Sequence, residues 1–105
     1  QAVSDVRAVL DWMAAAQSED PRLPAAASGH YLKLWGITCG GWLMAKASQI
    51  CRNNLDAGVG EASFCDTKIA TAHFYAGQLM PQTNALMRTI VSGSAAILSL
   101  DPAKF

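Results

Sequence analysis

The sequence contains few charged residues and no run of charge of one sign. Only 15% of its 105 residues are Asp, Glu, Lys or Arg, and eight basic residues balance eight acidic ones. Proteins that bind nucleic acid or anionic membranes carry a basic patch or stripe, and these scattered charges supply none. We therefore expect neither nucleic acid nor a membrane as a partner.

Long apolar runs are absent as well. The longest one lies around GITCGGWLMA, residues 36–45, and is bracketed by Lys33 and Lys46. A helix that spans a bilayer needs about 20 consecutive apolar residues, so this run is too short to cross. It predicts a buried helical segment instead.

The cysteines are few and widely spaced. Cys39, Cys51 and Cys65 cannot all pair within one chain, and their spacing matches no small disulfide scaffold, which favours a reducing cytoplasm. Neither a Cys-x-x-Cys nor a His-x-x-x-His pair is present. Because the thiols lie on apolar stripes, they are expected to behave as small buried hydrophobes. We therefore expect no metal site and no cysteine nucleophile.

Hydrophobic residues, by contrast, are abundant. They make up 51% of the chain, which excludes a disordered tail and indicates more apolar surface than a small monomer needs to bury. At 105 residues the chain forms a single domain around one core. It begins at Gln1 without an initiator methionine and enters an amphipathic pattern at once, so residues 1–105 are expected to be a fragment of a longer protein.

The apolar spacing predicts an all-α bundle of three main antiparallel helices. The first is expected at residues 2–18, the second from Ala25 or Ser28 to about residue 56, and the third at 61–80. The segment SEDPRLPAAASG predicts the first loop, because a proline disfavours the helical conformation of the residue before it. Pro81 is expected to kink or interrupt the third helix.

The second predicted helix is apolar on all sides. One stripe contains Leu32, Trp35, Cys39, Leu43, Ala47 and Ile50, and the other side contains Leu34, Ile37, Gly41, Met44 and Ala45. Such a helix is expected to be buried all round. Its glycines at 36, 40 and 41 each cost about 1 kcal/mol relative to alanine. Close backbone approach of a neighbouring helix is the expected compensation, and a kink is the alternative.

The third predicted helix contains the segment KIATAHFYAGQLMPQ, which places three proton-bearing side chains close together. On an ideal helix Lys68 and Tyr75 lie about 20° apart, whereas His73 lies about 140° from Lys68. The three side chains therefore do not converge, and no catalytic, cofactor-binding or metal-binding residue is expected. Phe74 is expected to point away from the stripe that faces the neighbouring helix. That stripe contains Cys65, Ile69, Ala72, Ala76 and Leu79.

Three stretches resemble a known domain: YLKLWGITCGGWLMAKAS, GEASFCDTKIATAHFYAGQLMPQ and SAAILSLDPAKF. They are similar to the extra C-terminal helical domain of certain bacterial acyl-CoA dehydrogenases, the broad-specificity and methylmercaptopropionyl-CoA dehydrogenase group. The resemblance covers nearly the whole chain. Its most specific parts are LWGITCGGWLMAKA and KIATAHFYAGQLMPQ.

The resemblance implies an appended packing or interaction domain of a cytoplasmic, FAD-dependent enzyme that oxidises acyl-CoA to 2-enoyl-CoA. FAD and the catalytic base belong to upstream domains of that family, so no catalytic residue is carried over and the fragment alone is expected to hold no cofactor. The implied partners are the upstream core and neighbouring subunits, with homo-oligomers expected. The candidate interface residues are Trp35, Trp42 and Phe74.

Two other interpretations remain open. A free-standing helical protein could bind an apolar ligand or partner through the surface that carries Trp35 and Trp42. A metal or thiol catalytic module is the third interpretation, and bound metal would reveal it.

Overall fold

The computed structural model describes residues 1–104, which form an all-α structure without strands in that range. The helices are α1 (Ala2–Glu19), α2 (Arg22–Ala57), α3 (Ala62–Gln78) and α4 (Gln82–Ile97), followed by a 3₁₀ turn at Pro102–Lys104. The predicted all-α bundle is confirmed. So is the predicted interruption at Pro81, which separates α3 from α4.

The other helices pack along α2, which forms the spine of the molecule. It has 36 residues and is therefore about 54 Å long at 1.5 Å per residue. α1, α3 and α4 each contact α2, and α1 also contacts α4. The resulting molecule is elongated and flat, with extents of 65 × 27 × 15 Å.

Two separate apolar clusters hold these helices together. The larger joins α1, the first half of α2 and α4, and its fully buried members are Val6, Val9, Ala27, Leu34 and Ile90. The smaller joins the second half of α2 to α3 and contains Cys51, Cys65 and Ile69, with Leu55 packed against them. One end of the molecule is thus a three-helix bundle and the other is a two-helix hairpin. A hairpin leaves one side of each helix without cover.

The connection between α1 and α2 is much shorter than the sequence suggested. The prediction of a loop over SEDPRLPAAASG is wrong, since only Asp20 and Pro21 separate the two helices. Pro24 lies in the first turn of α2, where a backbone N–H has no acceptor within the helix, so its missing donor costs little. Asp20 alone has the extended conformation expected before a proline (φ −152°, ψ 109°). Its carboxylate accepts the Arg22 backbone N–H at 3.0 Å.

The end of α2 follows the prediction closely. Gly58 adopts a left-handed conformation with φ 68°, which is accessible to glycine without steric cost. Its N–H donates to the Leu55 carbonyl at 3.2 Å, and the Val59 N–H donates to the Asn54 carbonyl at 2.8 Å. This pair of bonds is the Schellman arrangement that satisfies the last carbonyls of a helix.

A buried polar cluster fixes the start of α4 against α1. Asp5 is only 2% exposed, and its carboxylate accepts hydrogen bonds from Thr83 Oγ1 at 2.9 Å, Asn84 Nδ2 at 3.4 Å and Gln1 Nε2 at 3.1 Å. Thr83 and Asn84 lie in the first turn of α4, directly after the break at Pro81. The cluster therefore sets the direction in which α4 leaves the break.

Candidate docking surface

α2 exposes a long apolar stripe on the side away from the other helices. We call it the outer stripe, and it contains Leu32, Trp35, Cys39, Trp42, Leu43 and Ile50. Leu32 is 74% exposed and Trp42 62%. On an ideal helix these residues fall within an arc of about 100°, and they extend over about 27 Å. The expectation that α2 is buried all round is wrong within this chain, because its neighbours pack on one side only.

The two indole rings of the outer stripe are positioned by neighbouring side chains. The Lys46 ammonium lies over the Trp42 ring, 4.8 Å from its centroid, a cation–π contact worth about 0.5–1 kcal/mol at an exposed site. Tyr31 meets Trp35 edge to face, with ring centroids 6.3 Å apart and an interplanar angle of 87°. Each indole ring thus has one neighbouring side chain packed against it at the surface.

A second exposed apolar face lies on α3. Phe64 is 61% and Phe74 63% exposed, whereas Cys65 and Ile69 are buried. The prediction that Phe74 points away from the buried stripe is confirmed for these two residues. Ala76, which was predicted to belong to the buried stripe, is exposed.

The two apolar faces point in opposite directions. α2 contacts Tyr75 of α3 at Gly40, and on an ideal helix Trp42 lies about 160° from Gly40. On α3, Phe74 lies about 140° from Ile69 and about 180° from Cys65, the two residues that are buried against α2. The predicted interface residues therefore divide between two surfaces. The tryptophans belong to the outer stripe of α2, and Phe74 belongs to the far side of α3.

Tyr75 has a structural role that the sequence did not reveal. Its hydroxyl donates to the Ile37 carbonyl at 2.8 Å, and its ring occupies the space that a side chain at residue 40 would need. Gly41 leaves room for Met80 in the same way, while nothing lies within 4 Å of the position of a side chain at Gly36. The expected close backbone approach is thus not what compensates these glycines: side chains fill the space at Gly40 and Gly41, and nothing fills it at Gly36.

The proton-bearing side chains of α3 do not form a site. Lys68 is half-buried, His73 is exposed, and the Tyr75 hydroxyl is occupied by the Ile37 carbonyl. His73 and Arg52 border a shallow groove of about 300 Å³ between α2 and α3. Across residues 1–104, no three His, Cys, Asp or Glu side chains are grouped to hold a metal ion. None of the helices in that range has the length and apolarity needed to cross a membrane.

Comparison with known proteins identifies the family. The family model described as acetyl-CoA dehydrogenase C-terminal like matches residues 1–101, a range that contains all four α-helices. No curated protein and no solved structure matches the chain. Since the match covers almost the whole sequence, the chain belongs to the family of acetyl-CoA dehydrogenase C-terminal-like domains.

Proposed function

We propose that this chain is the appended docking domain of an FAD-dependent acyl-CoA dehydrogenase. A separate core of that enzyme oxidises acyl-CoA to 2-enoyl-CoA, and the outer stripe of α2 packs against this core or a neighbouring subunit. The observation that carries the proposal is the outer stripe itself. It is an extended and uncovered apolar surface on a member of a dehydrogenase-associated family.

The composition of the outer stripe suits a protein partner. Contiguous apolar patches larger than a few hundred Å² are uncommon on soluble monomers and mark interaction sites. Tryptophan is among the residues that contribute most to binding at protein interfaces, especially where its orientation is fixed before binding. Lys46 supplies one cation beside Trp42, so a partner with a carboxylate opposite it is favoured.

Catalysis in the proposed enzyme belongs to the core. The two glutamates of this chain are exposed, Glu19 at the end of α1 and Glu61 just before α3. Neither is enclosed in a pocket that could hold an acyl thioester. We therefore assign FAD and the catalytic base to the core and no catalytic residue to residues 1–105.

The finer assignments follow from the resemblance. We place the parent enzyme in the broad-specificity and methylmercaptopropionyl-CoA group on the basis of LWGITCGGWLMAKA and KIATAHFYAGQLMPQ. Its placement in the cytoplasm rests on the three free cysteines. We also propose that copies of the chain associate with one another when the core is absent, because the exposed apolar faces then have no other cover.

Binding in trans tests the docking role. The open reading frame that contains residues 1–105 is expressed in two pieces, the core and the 105-residue chain, and their association is measured by calorimetry. We expect saturable binding that Trp42→Ala weakens by roughly 30-fold or more. Val3→Ala, which removes an exposed apolar side chain of α1 (71% exposed), is the matched control and should leave the affinity unchanged. A reading frame without a dehydrogenase core, or equal affinities for the two variants, would refute the proposal.

A separate experiment tests the assignment of FAD and catalysis to the core. The 105-residue chain, purified and mixed with FAD, should show no flavin absorbance after gel filtration and no dehydrogenase activity with acyl-CoA. A yellow and catalytically active preparation of this chain alone would contradict the assignment of catalysis to the core.

A further inference from the structure

Cys51 of α2 and Cys65 of α3 meet in the smaller apolar cluster. They are 5% and 3% exposed, and both are free thiols. They form this cluster together with Ile69. A hydrogen bond with the Cys51 thiol, together with burial, raises the pKa of the Cys65 thiol. The two cysteines therefore share one small buried cluster across the interface between α2 and α3.

We propose that Cys51 and Cys65 are a site of reversible disulfide formation that reacts with small disulfides such as oxidised glutathione and links α2 to α3. The geometric basis is that two free, buried cysteines from different helices belong to one three-residue cluster. Cys39 is exposed on the outer stripe of α2, on a different side of the helix, and takes no part in this bond. The inference does not depend on the proposed docking role.

Cys51 and Cys65 lie where small reagents can reach both thiols and where a bond between them would stabilise the fold. Beyond the Tyr75 contact with Ile37, α3 is joined to α2 by the smaller cluster, so local opening at that end of the hairpin exposes both thiols to small reagents without unfolding the three-helix end. The bond closes a loop over residues 51–65. Closing a loop of this length restricts the unfolded chain and thereby stabilises the folded one.

The chemistry balances with one molecule of a small disulfide. One protein thiolate attacks a sulfur of oxidised glutathione, forms a mixed disulfide and releases one glutathione thiolate. The second protein thiolate attacks the protein sulfur of that mixed disulfide, forms the Cys51–Cys65 bond and releases the second glutathione. The two cysteines lose two electrons and two protons, and the small disulfide gains both. Since the reaction requires the thiolate form, its rate should rise with pH.

Mass spectrometry of the 105-residue chain tests the proposal. The Cys39→Ser variant is equilibrated with oxidised glutathione under native conditions, acid-quenched, alkylated in denaturant and digested. We expect a peptide pair linked through Cys51 and Cys65, a mass loss of two hydrogen atoms, and reversal by dithiothreitol. The thermal midpoint should rise by roughly 10 °C on oxidation. In the unsubstituted chain, Cys39 should remain available for alkylation or carry glutathione.

The control variants separate bond formation from general effects of oxidation. Cys51→Ser and Cys65→Ser should each abolish the linked peptide and the rise in thermal midpoint. Because a substituted chain could fold poorly, the decisive comparison is the oxidised against the reduced Cys39→Ser chain. Full alkylation of both cysteines after native oxidation, a link that forms only in denaturant, or a lowered thermal midpoint would overturn the proposal.

Discussion

Gly40 and Gly36 lie one turn apart on α2, yet their surroundings differ. A β-carbon at residue 40 would overlap the Tyr75 hydroxyl and lie 3.0 Å from the ring carbon that carries it, whereas nothing lies within 4 Å of one at residue 36. Sequence alone could not separate them, because both are helical glycines in one apolar segment. What distinguishes them is the Tyr75 side chain, which arrives from a different helix.

These surroundings predict opposite effects of the same substitution. Gly40→Ala should lower the free energy of unfolding by about 1–3 kcal/mol through overpacking against Tyr75. Gly36→Ala should raise it by about 0.5–1 kcal/mol, because alanine is the better helix former. Urea denaturation of the 105-residue chain measures both. Equal stabilisation by the two substitutions would show that Tyr75 does not press against α2.

The buried carboxylate of Asp5 provides a second test at the residue scale. Thr83→Val removes the hydroxyl that donates to Asp5 at 2.9 Å and should cost about 1.5–3 kcal/mol, the range for a hydrogen bond to a charged group. Thr89→Val is the matched control, since the Thr89 hydroxyl is exposed and donates only to the Ala85 carbonyl of its own helix. That variant should change stability by less than about 0.5 kcal/mol. Comparable losses in both variants would argue against a stabilising role of the Asp5 cluster.

Among the elements, two helix ends with local causes could be predicted, whereas the start of α2 was predicted wrongly although its cause is local as well. Gly58 ends α2 through its own backbone conformation, and Pro81 interrupts the helix between α3 and α4 through its missing N–H. The sequence near each of these two points therefore encodes where the helix ends. The predicted start of α2, at Ala25 or Ser28, is wrong because it treats Pro24 as a helix breaker. α2 begins at Arg22, and a proline is tolerated in the first turn of a helix. The apolar faces of α2 and α3 were recognised from periodicity. Periodicity shows that a face is apolar, however, and not which surface covers it.

The start of α2 makes stability depend on pH at acid values. Hydrogen bonds from the Arg22 side chain and backbone lower the pKa of Asp20 from its ordinary value of 3.8. A carboxylate with a lowered folded-state pKa contributes stability that is present above its unfolded value and lost as pH falls through the folded value. Asp20→Asn should therefore destabilise the chain at neutral pH, and the difference should vanish in acid. Thermal melts of both chains between neutral and acid pH measure this.

Asp11→Asn is the control for that pH dependence. Asp11 is exposed on α1 and makes no ion pair within residues 1–104. This substitution should leave the stability unchanged across the same range. If Asp20→Asn behaves like Asp11→Asn at neutral pH, the pair of Asp20 and Arg22 does not help to begin α2.

As a whole, the molecule is a three-helix bundle that continues into a two-helix hairpin. A two-helix hairpin leaves the outward side of each helix uncovered, so α2 and α3 present apolar surface on opposite sides of the molecule. This shape suits a domain inserted between other surfaces. It also explains why 51% hydrophobic residues yield few fully buried large side chains.

Two opposed apolar faces predict self-association of the excised chain. Contacts through different faces need not close into a dimer, so we expect assemblies whose size increases with concentration. Sedimentation velocity at micromolar concentration should show these species. Trp42→Ala should shift them toward the monomer, whereas Val3→Ala should not. A strictly monomeric chain would show that the exposed apolar faces are tolerated in water. It would remove the physical argument that another protein surface covers them.

The central claim is that another protein surface covers the outer stripe of α2 and the far side of α3 in the intact enzyme. Hydroxyl-radical footprinting tests it by comparing the dilute 105-residue chain with the complete protein encoded by its reading frame. His30, which is exposed on α2 outside the outer stripe, serves as the internal control. We predict that Trp42 and Phe74 lose most of their labelling in the complete protein while His30 keeps its own. Equal labelling of Trp42 and Phe74 in the two samples would contradict the docking role.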